Sequence, residues 1–334
     1  MATKLETFFK AFIRVVSRIQ ETIMVIKGDN KRQGQGGGKA REEGSKRIMK
    51  TYLDCLPCFL NQALKTSRVA TNDEKIQREV LDQVMEKLIR LPLDASPPRI
   101  AQIVYATIKK ITGNEDPYSA TKKKQNELAL GFYQELKAMV RNSEDPLLLA
   151  LKLAIAGNII DLGVPREIKN IREEVFSIIS SPLAVNDYLP FKRNLTNAKL
   201  LLYLGDNAGE IVFDRILVEE LNNIDTLKIV FAVREKPIIN DATFDDAKFV
   251  GLDKQTKLIS NGSSAPATVL EECSCEFMNL FQKADMVISK GQGNYESLSD
   301  VSGNLFFLLM VKCPVVARHL RVQVGDMVLK SNRA

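Results

Sequence analysis

Two kinds of hydrophobic pattern divide the chain. Between residues 49 and about 190, apolar side chains recur three and four apart, which predicts amphipathic helices over 77–91, 99–112, 120–141 and 146–161. From residue 198, continuous apolar runs at 199–204, 228–233, 286–289 and 305–311 alternate with helical spacing at 211–221 and 268–282. Strands buried on both faces read as such runs, and their alternation with helices predicts a parallel sheet covered by helices. The run 306–311 reads equally as the end of a helix. The expected fold class is α/β, with an N-terminal all-helical domain at 49–195 packed on a C-terminal Rossmann-like α/β domain at 196–334 whose sheet is mainly parallel.

Ahead of this body, residues 5–26 place Leu5, Phe8, Phe12, Val15, Ile19, Ile23 and Ile26 at helical spacing, with Lys10, Arg14 and Arg18 on another face. Such a basic amphipathic helix suits weak docking on a membrane or a protein, or is a dispensable tail. A Gly-rich linker at 27–46 follows, so residues 1–48 are expected to stand outside the core fold. These 48 residues carry 11 Lys and Arg against 5 Asp and Glu, which accounts for the whole net charge of +6. The body is neutral and offers no electrostatic footprint for nucleic acid. No apolar run is long enough for a transmembrane segment. Five cysteines, an odd number, fit a reduced cytoplasmic setting better than a disulfide framework. His319 is the one histidine, so chemistry built on histidine has a single candidate.

Four constellations follow from the pattern. Gly205-Asp206-Asn207-Ala208-Gly209-Glu210 closes the first apolar run; Asp206 and Asn207 are adjacent hard oxygen donors at the carboxyl end of a strand, where ligands bind in open α/β sheets. Asn207 as N-cap with Glu210 in a capping box is the rival reading. After the next run, Asn240-Asp241 either caps a helix toward Phe249 or brings Asp241 to the same sheet edge as Asp206. Lys290-Gly291-Gln292-Gly293-Asn294 offers a cation, with Gly291 and Gly293 letting backbone amides approach an anion; alternatively it is a surface turn with a solvated lysine. Cys55-Leu56-Pro57-Cys58, with Cys313 far along the chain, suits a second metal or redox centre, or inert thiols. Cys273 and Cys275 lie in the expected helix 268–282, where positions two apart diverge. In the helical region, Asp116-Pro117-Tyr118 with Lys122 and Asn126, and Ala156-Gly157-Asn158 with Asp161, either cap and fill the helices or line a cleft against the sheet.

Taken in order, these motifs resemble the damage-control phosphatases, over residues 49–325. The resemblance implies a helical domain on an α/β domain, with a divalent metal held by Asp206, Asn207 and Asp241. It implies hydrolysis of phosphate monoesters of small metabolites. The Cys-x-x-Cys pair resembles the family's microbial branch. On this reading Lys290 and the amides near Gly291 and Gly293 stabilise the phosphoryl charge, while Asn158, Asp116 and Lys122 contact substrate. Glu210 or Asp161 orients the attacking water. Oxygen donors favour Mg²⁺ or Mn²⁺, with Co²⁺ or Ni²⁺ tolerated. Two other functions compete: a non-catalytic module that binds metal and a phosphorylated metabolite, and an S-adenosylmethionine-dependent carboxyl methyltransferase.

Overall fold

A computed structural model describes residues 49–158 and 168–333. The amphipathic segment 5–26, the linker and Asp161 lie outside the described residues. Residues Arg47–Ala334 group into one compact unit.

Its first half is helical, in α1 (Cys55–Ala70), α2 (Glu74–Arg90), α3 (Pro97–Thr112), α4 (Ser119–Arg141), α5 (Pro146–Ala156) and α6 (Ile168–Ser180). The ends of these helices follow from the sequence. Asp73 starts α2 by accepting the Lys75 amide, Pro97 and Pro98 open α3, and Gly113, in the left-handed region at φ +67°, ends it. Asp145 caps α5 by accepting the Leu148 amide. α1 is a correction to the helix count from periodicity; its Pro57 falls in the first turn, where a missing amide proton costs nothing.

The second half alternates: β1 (Val185–Asn186), α7 (Tyr188–Asn197), β2 (Leu200–Leu204), α8 (Glu210–Leu221), β3 (Lys228–Val233), α9 (Phe244–Phe249), β4 (Lys257–Ser260), α10 (Cys275–Lys283), β5 (Met286–Lys290), α11 (Gly291–Leu298), β6 (Leu305–Met310), α12 (Pro314–Leu320) and β7 (Met327–Ser331). The seven strands lie in the order β1-β7-β6-β5-β2-β3-β4, all pairs parallel except β6 with β7. The run 305–311 is therefore a strand, not a helix end. The expected helix 268–282 is shorter: a single 3₁₀ turn covers Leu270–Glu272, and Ser274 caps α10 by accepting the Phe277 amide. Cys273 precedes the helix and Cys275 opens it, so their placement within one helix is corrected.

Alternate side chains of the strands feed two cores. Leu201, Tyr203, Phe231, Ile288 and Phe306 pack with α4, α5 and α8; Leu202, Leu204, Val230, Val287 and Phe307 pack with α10, α11 and α12. A third cluster, from Phe59, Val80, Ile100 and Ile108, ties α1, α2 and α3 to Ile238 beyond β3. Among the described residues no helix is long and apolar enough to cross a membrane. β2 sits between β3 and β5, so the chain leaves it to one side and later returns on the other. Ligands of open α/β sheets bind outside the carboxyl ends of strands at such a switch point.

Candidate active site

Three chain segments meet at that switch point. After β2, the turn holding Asp206 and Asn207 pairs with the segment holding Asp241: the Ala208 amide donates to the Asn240 carbonyl at 2.8 Å and the Ala242 amide to the Asp206 carbonyl at 2.8 Å. The third segment is the β5–α11 junction. Gly291 there has φ +81° and lies against Asp206.

Neither capping alternative describes the first two segments. Gly209, at φ +79°, is the N-cap of α8, and no side chain caps it. Asn207 turns its amide Nδ2 to Glu210 Oε1 at 2.9 Å and to Asp206 Oδ2 at 3.2 Å. Helix α9 is opened by Thr243 in a capping box with Asp246, not by Asn240 or Asp241.

The electrostatics of the site are dominated by buried acid. Asp206, Glu210 and Asp241 are all buried. Desolvation, then the charges of Glu210 and Asp241, push the Asp206 carboxyl well above the ordinary value of 3.8, against the pull of Lys312 and Arg234. Asp241 Oδ2 accepts from Arg234 Nε at 2.7 Å and from the Ala267 amide at 3.1 Å. Two buried carboxylates, one of them paired with Arg234, and the oxygen of Asn207 form a hard donor set that fits a divalent cation of the Mg²⁺ or Mn²⁺ kind. Among the described residues no three His, Cys, Asp or Glu side chains are arranged to hold a metal, so a set here would need the amide oxygen of Asn207.

Lys290 is 1% exposed, which corrects the solvated-turn alternative. Its ammonium donates to Asp214 Oδ1 at 2.5 Å and stands 3.9 Å from Glu210 Oε2, while Tyr203 donates to the same Asp214 oxygen at 2.8 Å. Burial opposes its charge, but Asp214 and Glu210 outweigh burial and the Lys290 pKa is raised. Helix α8 thus presents Glu210 and Asp214, four residues apart on one face, to one lysine. A Cβ on Gly293 would make a tight contact, 3.1 Å, with the Ala267 Cβ.

The helical half reaches the same centre. Asn158 Nδ2 donates to Glu210 Oε1 at 2.7 Å. Asn126 Oδ1 accepts the Gly209 amide at 2.6 Å, and its Nδ2 donates to Asp246 Oδ1 at 3.0 Å. Lys122, also buried, lies 3.0 Å from Asp116 Oδ2 and 3.5 Å from Asp246 Oδ2. Asp116 borders a small cleft with Lys109, Tyr118 and Ile239, two residues from Asp241. Asp116 Oδ1 is buried there without a hydrogen-bond partner.

The cysteines gather elsewhere. Cys55 and Cys313 pack against the same core cluster, Gln62 donates to Cys58 Sγ at 3.4 Å, and Gln292 to Cys313 Sγ at 3.4 Å. Desolvation, with Glu296 and Cys313 nearby, raises the Cys55 and Cys58 thiols, so they are not activated thiolates.

Residues 51–328 match the damage-control phosphatase ARMT1-like domain. The chain belongs to this family. It is 37% identical over 287 residues to the damage-control phosphatase PH1575 of Pyrococcus horikoshii, covering 85% of this chain and 99% of the relative. It is 35% identical over 292 residues to a damage-control phosphatase of Archaeoglobus fulgidus, covering 84% and 99%. The crystal structure of the P. horikoshii protein, described as a DUF89 family protein, superposes with a TM-score of 0.80 over 85% of this chain and 99% of that one. The family relationship carries the helical N-terminal part and the α/β C-terminal part together, and a phosphatase of damage-control type.

Four residues of this family member at the site escaped the sequence reading: Asp214, Arg234, Asp246 and Ala267. A signal existed for Asp214, an acid four residues after Glu210 in an otherwise apolar helix. Ala267 has no chemical signature at all, since only its amide acts.

Proposed function

We propose that the chain is a metal-dependent phosphomonoesterase acting on small phosphorylated metabolites, with Asp206, Asn207 and Asp241 holding Mg²⁺ or Mn²⁺. The observation that carries this reading is the buried crowding of Asp206, Glu210 and Asp241, which raises the Asp206 pKa and calls for a cation. Bound there, such an ion polarises a phosphoryl oxygen and offsets charge that builds up in the transition state.

The protein's own groups have separate tasks. Gly291 brings the start of α11 against Asp206, and on this reading backbone amides of that turn would meet phosphoryl oxygens. Lys290, hydrogen-bonded to Asp214 and 3.9 Å from Glu210 Oε2, offsets part of the charge of the buried acids around the site. Glu210, fixed by Asn158 and Asn207, is placed to orient a water molecule and take its proton. The five free cysteines suit work in the cytoplasm.

Hydrolysis of an aryl phosphate with Mn²⁺ tests the reading. Activity should vanish on chelation and return with added Mn²⁺, and Asp206→Ala should abolish it; turnover that survives both treatments sinks the proposal.

A further inference from the structure

We propose that Arg234 is a positioning residue that fixes which oxygen of Asp241 meets the cation; the inference rests on the metal reading above. Arg234 ends β3 and is 1% exposed, the largest fully buried side chain among the described residues. Its Nε donates to Asp241 Oδ2 at 2.7 Å, Nη1 to Thr268 Oγ1 at 3.4 Å and Nη2 to the Gly205 carbonyl at 3.4 Å. Its backbone is held as well, the Arg234 amide donating to the Ala242 carbonyl at 3.0 Å. One planar guanidinium therefore touches the turn that carries Asp206, the segment that carries Asp241 and the loop that carries Ala267. A lysine, with a point charge on a flexible stem, cannot span these three directions.

The second donor to Asp241 points the same way. The Ala267 amide goes to Oδ2 too, at 3.1 Å, which leaves Oδ1 as the ligating oxygen. That amide is aimed by a backbone at φ +62°, a conformation a residue with a Cβ adopts at a cost. Ile239, two residues before Asp241, is held at φ +46°, which is costlier for a β-branched side chain. Both uncommon backbone conformations thus lie in the segments that hold this one carboxylate.

Arg234→Lys tests this, read by Mn²⁺ titration followed by electron paramagnetic resonance and by thermal unfolding of the metal-free protein. The folded variant should bind Mn²⁺ about tenfold or more weakly, the usual cost of losing a partner behind a metal ligand. The aryl phosphate KM at saturating Mn²⁺ should stay near the unsubstituted value. A folded Arg234→Lys protein with unchanged Mn²⁺ affinity overturns the inference. If that variant does not fold, Thr268→Val carries the test: it removes the Nη1 anchor and should weaken Mn²⁺ in the same direction by less, and unchanged affinity again overturns the inference. Asp206→Asn is run beside them. If it too leaves Mn²⁺ binding untouched, the metal reading itself has failed, and this inference with it.

Discussion

Gly291 and Asp206 stand so close that a Cβ on Gly291 would fall 1.8 Å from Asp206 Oδ2. The clash is with a buried carboxylate, not the far end of a flexible surface chain, and the φ of +81° adds backbone strain for any other residue. The glycine is thus what allows the β5–α11 junction to lie on the acidic turn.

Gly291→Ala should destabilise the protein by roughly 1–3 kcal/mol through the backbone alone, with more from displacing Asp206. Mn²⁺ affinity should fall with it. Urea unfolding and Mn²⁺ titration are the measurements. A variant with unchanged stability and unchanged affinity would show that the junction and Asp206 move independently.

Lys290 and Asp214 form a pair with almost no exposure on either side, 1% and 0%. Lys290→Met strips the buried Asp214 carboxyl of its ion pair, which should cost about 3–5 kcal/mol. Adding Asp214→Leu removes the stranded carboxyl, so the double variant should recover most of that loss. Urea denaturation of both single variants and the double variant gives the coupling; losses that simply add would mean the two groups do not depend on each other.

Much of the sheet was legible because parallel strands covered on both faces are written as unbroken apolar runs: β2, β3, β5 and β6 all follow this rule. β4, with Lys257 at its start and four residues in all, and β7, antiparallel at 327–331, give no comparable signal. α1 was hidden by Pro57 in its first turn. The candidate site was legible where its residues lie at or just beyond strand ends, as Lys290, Asp206 and Asn207 do. It was illegible where a role depends on chain segments far apart. Arg234 reads as one basic residue after a strand; only folding brings Gly205 and Thr268 to its guanidinium. The same holds for Asn126, whose side chain links the Gly209 amide to Asp246 across more than 80 positions.

The raised pKa of Asp206 gives stability a pH dependence whose sign can be worked out. In the metal-free folded protein this carboxyl holds its proton above 3.8, its ordinary value, whereas the unfolded chain releases it near that value. Above 3.8 the folded state therefore binds more protons than the unfolded one, and Asp206 makes stability fall as pH rises. Other carboxylates add slopes of their own, so the quantity to read is the difference from Asp206→Asn, which cannot titrate there. Between about pH 5 and about pH 8, the unsubstituted metal-free protein should lose more of its thermal midpoint than Asp206→Asn. Mn²⁺ takes the place of the proton and should lift the midpoint most at the alkaline end. It should do little for Asp206→Asn. Coincident slopes for the two proteins without metal would mean that Glu210 and Asp241 do not crowd Asp206 in solution, and the case for a cation at this turn would lose its electrostatic basis.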